Sequence, residues 1–139
     1  GVVADLLVVR GVPNVCVNAS GDIACRGLQS PGELWTVGIT NPYDTQSVIR
    51  AVSVPDGWAV ATSGLYERGS HIANAVTGDV GVHYDSATVV GPDAGLADAL
   101  ATACLVEGPG CARWFVGLPD WSVYLVKDGR AEFFGPAFA

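Results

Sequence analysis

The spacing of hydrophobic residues changes period several times along the chain, and each change marks an element. Val2, Val3, Leu6, Leu7 and Val9 recur at helical spacing, Gly11 interrupts them, and Pro13 lies where proline often follows a helix end. From Asn14 to Cys25 two strand-like runs flank a turn at Gly21-Asp22. Strands are expected over 34–40, 48–54 and 58–63, separated by the turns Asn41-Pro-Tyr-Asp44 and Pro55-Asp56-Gly57. Residues 64–85 show no period and carry both histidines.

A β-branched strand follows over 86–90, and Gly91-Pro92-Asp93 leads into a helix over 94–106 with Asp93 as its N-cap. A second helix is expected over 111–118. The last two runs, 121–127 and 130–134, read as a hairpin through Asp128-Gly129. The order predicts an α+β fold whose mainly antiparallel sheet packs against helices, with no internal repeat and no linker. The chain reads as one domain or part of one. It opens in mid-pattern without a methionine, so its natural N-terminus is expected to lie upstream.

Composition supports a packed core. Half of the 139 residues are hydrophobic and 15% are charged. With 14 Asp and Glu against 7 Lys and Arg, and with Lys127 the only lysine, there is no basic stripe to neutralise phosphates. Nucleic-acid binding is therefore excluded. Acidity suits a domain that holds a divalent cation, although carboxylates also serve simply to keep a surface soluble. No run approaches the roughly 20 apolar residues needed to cross a bilayer. Cys16, Cys25, Cys104 and Cys111 lack metal-ligand spacing and read as small buried hydrophobes. A Cys16–Cys25 bridge is open to them if their strands pair.

The candidate chemistry begins in the helix over 94–106. Its one ionisable side chain, Asp98, sits among Ala97, Ala99, Leu100, Ala101 and Ala103, so the helix is expected to be buried nearly all round. A carboxylate there needs a partner. Thr102, four residues on, shares its face, and an acid with a hydroxyl suits an oxygen-seeking cation such as Mg²⁺. The spacing is not specific, and it suits at least as well an Asp bonded to nearby backbone, with Thr102 bonding back to carbonyl 98. His71 has the chemistry of a base near neutral pH, or of an ordinary hydrogen-bonding residue. No Gly-rich nucleotide loop follows a strand, and Ser63-Gly64 has no nucleophile elbow around it.

Four separated segments together resemble the C-terminal half of the ApbE family, the FAD:protein FMN transferases. Gly11-Val-Pro-Asn-Val-Cys-Val-Asn-Ala-Ser-Gly-Asp22 is similar to that family's Gly-x-x-Asn-x-x-(Val/Ile)-Asn-x-Gly-Gly-Asp. Ala61-Thr-Ser-Gly-Leu-Tyr-Glu-Arg68 resembles its Ser-Gly-Asp-Tyr-Glu-Arg, and His71-Ile72 with Thr77-Gly78 its His-Ile-x-Asp-Pro-x-Thr-Gly. Residues 86–102 resemble the family's strand-then-helix block almost residue for residue.

The resemblance implies a T-fold-like α+β fold and an enzyme that uses FAD with Mg²⁺ to attach FMN to a threonine of an acceptor flavoprotein; some relatives hydrolyse FAD instead. It implies Asp98 and Thr102 as metal ligands and His71 as the catalytic residue. It further implies that Ser63, Gly64, Ile72 and Thr77 line the flavin nucleotide site.

The chain also departs from the pattern. Leu65 stands for the family's Asp, Asn74-Ala75 for its Asp-Pro, and its Lys-Gly-x-x-x-Asp segment would end at Gly1. These departures keep a second reading open: a flavin-binding or structural domain without catalysis. Asp85-Ser-Ala-Thr88 faintly resembles an acceptor sequence, but in the resemblance it is the strand before the metal helix.

Overall fold

The computed structural model describes residues 1–64 and 82–139. Helix α1 (Val2–Val9) precedes the hairpin β1 (Val15–Ala19) and β2 (Asp22–Arg26). A long ribbon of β3 (Trp35–Asn41) and β4 (Asp44–Val54) follows, then β5 (Ala59–Gly64) and β6 (Ser86–Gly91). Helix α2 (Ala94–Glu107), a 3₁₀ helix (Gly108–Gly117), the hairpin β7 (Ser122–Lys127) and β8 (Arg130–Phe134), and a short 3₁₀ turn (Pro136–Phe138) complete it.

Among the described residues six strands form one antiparallel sheet in the order β1-β2-β5-β6-β7-β8, while β3 and β4 pair only with each other. The β3–β4 ribbon packs on one of its faces and helix α2 on the other. Alternation along the central strands decides which side chain goes where. Ala87 and Val89 of β6, with Val123 and Leu125 of β7, face a core built with Ala97, Ala101, Cys104 and Leu105 of α2. Val90, Tyr124 and Val126 point the other way, against Val37, Ile39, Val52 and Val54 of the ribbon and against Phe138. All six residues of β6 are buried for this reason.

Several expectations shift by small amounts, each with a local cause. The first hairpin turns at Ser20-Gly21, one residue early, because Ala19 pairs with Asp22. Both turn residues have positive φ, 54° and 100°, and the Asn18 side chain accepts the Gly21 N–H at 3.0 Å. Strand β4 begins at Asp44 rather than near residue 48, and its register slips between Ile39 and Asn41 of β3. The second helix, expected over 111–118, spans Gly108–Gly117 and is a 3₁₀ helix with Pro109 in its first turn.

Helix α2 is not buried nearly all round: Leu96 is 48% exposed, and Ala99 is exposed too. One face is packed on β5 and β6, and small side chains let the helix approach the sheet closely there. In α1 only Ala4 is buried, and Val2, Val3, Leu6 and Val9 are exposed.

The tip of the ribbon is pinned to the far end of the sheet. The Tyr43 hydroxyl donates to Asp85 Oδ2 at 2.6 Å and accepts the Gly129 N–H at 2.8 Å, and the same Asp85 oxygen accepts the Asp128 N–H at 2.9 Å.

On the helix side, Tyr84 is buried and its hydroxyl reaches Glu132 Oε2 at 3.4 Å. Burial, and then the Glu132 charge, push the Tyr84 phenol up to about 12. An unfolded tyrosine ionises near pH ~10. The neutral phenol therefore contributes stability that is fully present below that pH and is lost as pH rises toward 12. Denaturation midpoints measured across this range should fall more steeply for the native chain than for Tyr84→Phe. Parallel slopes would contradict the shift.

Candidate functional site

Helix α2 carries the acid and hydroxyl singled out by spacing. The Asp93 side chain accepts the Leu96 N–H at 2.7 Å, and the next residue begins the helix. That start fixes the helical phase. Ala97, Ala101, Cys104 and Leu105 face the sheet, and Ala94, Asp98 and Thr102 form an adjacent stripe, all three half-buried. At its first turn the stripe meets an apolar cleft of about 180 Å³ between α1 and the β1–β2 hairpin, with Asp22 among its lining residues.

Farther along the stripe, Thr102 meets the sheet. Its Oγ1 lies 2.9 Å from Oγ of Ser63, the next-to-last residue of β5. Ser63 is fully buried on the helix side of that strand, two residues beyond Ala61. The bond ties the end of β5 to the helix and fixes the Thr102 side chain, since a buried hydroxyl without a partner is costly. When Thr102 donates the proton, both of its lone pairs remain available to a cation. The Asp98 carboxylate is engaged within the protein as well.

This donor set is all oxygen, which fits Mg²⁺ and does not fit a thiolate- or imidazole-seeking metal. Among the described residues no group of three or more His, Cys, Asp or Glu side chains converges. Asp98 and Thr102 can therefore supply part of a coordination shell, leaving places for water and phosphate oxygens, as Mg²⁺ prefers.

Of the expected site residues, the structure brings Ser63 and Thr102 into contact and places Asp98 one helical turn from Thr102. Gly64 ends β5, paired with Ser86. His71, Ile72 and Thr77 lie outside the described residues, as do Leu65, Asn74 and Ala75. His83 has a structural place: its N–H donates to the Leu105 carbonyl at 2.7 Å and its ring covers Gly108 at the end of α2. Thr88 is fully buried in the middle of the sheet and bonded to Thr62 at 2.9 Å, so it is inaccessible as an acceptor. The Ser63–Thr102 bond itself was not legible in the sequence, because no local spacing relates two residues 39 apart.

The segment from Gly11 to Asp22 takes on structural meaning too. Asn14 Oδ1 accepts the Leu28 N–H at 2.9 Å and bridges into the loop beyond β2, while Asn18 closes the hairpin turn. Ser20 stands where the family pattern has its first paired Gly, and its φ of 54° explains why glycine suits that place. Among the described residues no helix is long and apolar enough to cross a membrane.

Comparison with known proteins agrees with this geometry. The chain is 31% identical over 137 residues to the FAD:protein FMN transferase of Klebsiella pneumoniae (strain 342), covering 91% of this chain and 39% of that protein. It thus spans well under half the length of that relative. Among solved structures it superposes on the flavin transferase ApbE from Vibrio cholerae with a TM-score of 0.75 at 31% identity, over 99% of this chain and 47% of that one. The ApbE protein from Thermotoga maritima gives a TM-score of 0.69 at 27% identity, over 90% and 43% of the two chains. The antiparallel sheet with its helices is the arrangement these structures share with it. With the ApbE family model matching residues 1–125 as well, the chain belongs to the ApbE family.

Proposed function

We propose that this chain carries the metal-holding helix of an Mg²⁺-dependent FAD:protein FMN transferase, which attaches FMN to a threonine of an acceptor flavoprotein. The observation that carries this reading is the Ser63–Thr102 hydrogen bond. It ties the end of β5, which carries the Ser63-Gly64 motif, to the helix bearing Asp98.

Asp98 and Thr102 hold the cation, and Ser63 positions Thr102. Bound Mg²⁺ would neutralise the charge of the FAD pyrophosphate and of the departing AMP. His71 takes the proton of the acceptor hydroxyl, a role its imidazole suits near neutral pH. Ser63, Gly64, Ile72 and Thr77 belong to the flavin nucleotide site in this reading.

The test uses the full-length protein with FAD and a threonine-bearing acceptor, with and without Mg²⁺. Covalent FMN on the acceptor, seen by mass and dependent on Mg²⁺, is the expected result. Leu65 and Asn74-Ala75 support a second reading, flavin binding without catalysis. FAD bound at equilibrium with no transfer and no hydrolysis would establish that one instead.

Ser63→Ala is expected to retain the fold and to raise the Mg²⁺ concentration for half-maximal activity by roughly 10–100-fold, the usual cost of losing an outer partner of a ligand. An unchanged Mg²⁺ dependence would remove Ser63 from this role.

A further inference from the structure

Cys16 and Cys25 sit directly opposite one another on β1 and β2, with their sulfur atoms 3.8 Å apart. Their pairing type follows from the backbone. The Cys25 N–H donates to the Trp58 carbonyl at 2.9 Å, and the Cys25 carbonyl accepts the Gly57 N–H at 3.2 Å. Both backbone groups of Cys25 are thus directed toward the β5 side and away from β1. Cys16 and Cys25 therefore form a non-hydrogen-bonded pair, in which opposed Cα atoms come to about 4.5 Å and the side chains lie closest. That spacing falls within the range a disulfide bridges without backbone movement, so side-chain rotation alone can bring the sulfurs into bonding distance.

The two thiols differ in access. Cys16 is exposed, whereas Cys25 is fully buried beneath the ribbon. A second thiol pair, Cys104 and Cys111, links α2 to the 3₁₀ helix, but both of its members are completely buried. The hydrogen bond to Cys111, and then burial, hold the Cys104 thiol in its protonated form. One pair is open to a solution reagent and the other is closed to it.

We propose that Cys16 and Cys25 form a reversible modification site, oxidised to an intrachain disulfide by thiol–disulfide exchange with a small-molecule disulfide. The Cys16 thiolate attacks one sulfur of the reagent, forming a mixed disulfide and releasing one small thiolate. The Cys25 sulfur then attacks Cys16 Sγ, and the expelled thiolate takes up the Cys25 proton as it leaves. Two electrons pass from the cysteine pair to the reagent, which leaves as two reduced thiols. Burial, and then the charge of a Cys16 thiolate, push the Cys25 thiol up to about 12, and conversion of Cys16 to the mixed disulfide removes the second of these. The resulting bond locks the β1–β2 hairpin, which carries Asn14, Asn18 and Asp22.

The test is incubation of the folded chain in oxidised and reduced glutathione mixtures, followed by alkylation, trypsin digestion and mass spectrometry. The chain has no Lys or Arg between Arg10 and Arg26, so both cysteines fall in the peptide 11–26. The expected product is that peptide unalkylated and lighter than its dithiol form by two hydrogens, reversible with dithiothreitol, while Cys104 and Cys111 stay reduced. Cys25→Ser is expected to stop at a glutathione adduct on Cys16. Full alkylation of Cys16 and Cys25 after equilibration with oxidised glutathione would overturn the proposal. So would oxidation of Cys104 and Cys111 ahead of them.

Discussion

Asp98→Ala in the full-length protein is expected to lower FMN transfer by about 100-fold or more and to abolish its response to Mg²⁺. The size follows from what a metal contributes to phosphoryl transfer, several kcal/mol of charge stabilisation, with every ~1.4 kcal/mol worth tenfold in rate. The fold should survive. Asp98 is half-buried beside the packed face rather than within it, and alanine is the stronger helix former. The informative readouts are Mg²⁺ titrations of activity and of FAD affinity, with circular dichroism as the control for folding. Normal Mg²⁺-dependent turnover in a folded Asp98→Ala protein would remove this residue from the metal site.

Gly135→Ala should destabilise the chain by roughly 3–5 kcal/mol, combining backbone strain with a steric clash. Gly135 has φ 92° and ψ 168°, a region open essentially to glycine alone. A Cβ there would lie 2.4 Å from the Trp121 carbonyl oxygen and 2.7 Å from Ser122 Cα, backbone atoms of β7 and the residue before it that cannot give way. The conformation turns the chain off β8 so that Phe138, 1% exposed, can pack 5.3 Å from the Tyr124 ring.

Gly129→Ala is the matched control. Its φ is 74°, but nothing lies within 4 Å of the added carbon, so only the left-handed penalty of about 1–2 kcal/mol applies. Thermal unfolding should show a fall of roughly 10 °C or more for Gly135→Ala, and clearly less for Gly129→Ala. Equal losses at both positions would mean that the contact with β7 plays no part.

What the sequence made legible was mainly local. The Asp93 cap, the hairpin through Asp128-Gly129 and the strand of residues 86–90 rest on interactions between near neighbours, and the structure has all three. The pairing partners were not legible. Nothing in residues 35–54 says that this ribbon leaves the sheet to cover one face while β2 pairs with β5. The partial exposure of α2 has a related cause: alanines permit close packing on a sheet but do not require it, and Ala99 remains exposed. At the site, the stripe of Asp98 and Thr102 followed from helical spacing. The buried Ser63 hydroxyl that fixes Thr102 comes from a strand 39 residues away, and only the fold could supply it.

The Tyr43 clasp has a consequence for the order of assembly. Its hydrogen bonds close loops of 42, 43 and 86 residues, yet each is a single contact at an exposed edge. The entropy of such closures is offset only after both layers have packed, which makes the clasp a late event in folding. By the same reasoning it opens first when the native chain fluctuates. The amide protons of Asp128 and Gly129 then exchange with solvent through a small local opening, while those of the central strands wait for global unfolding.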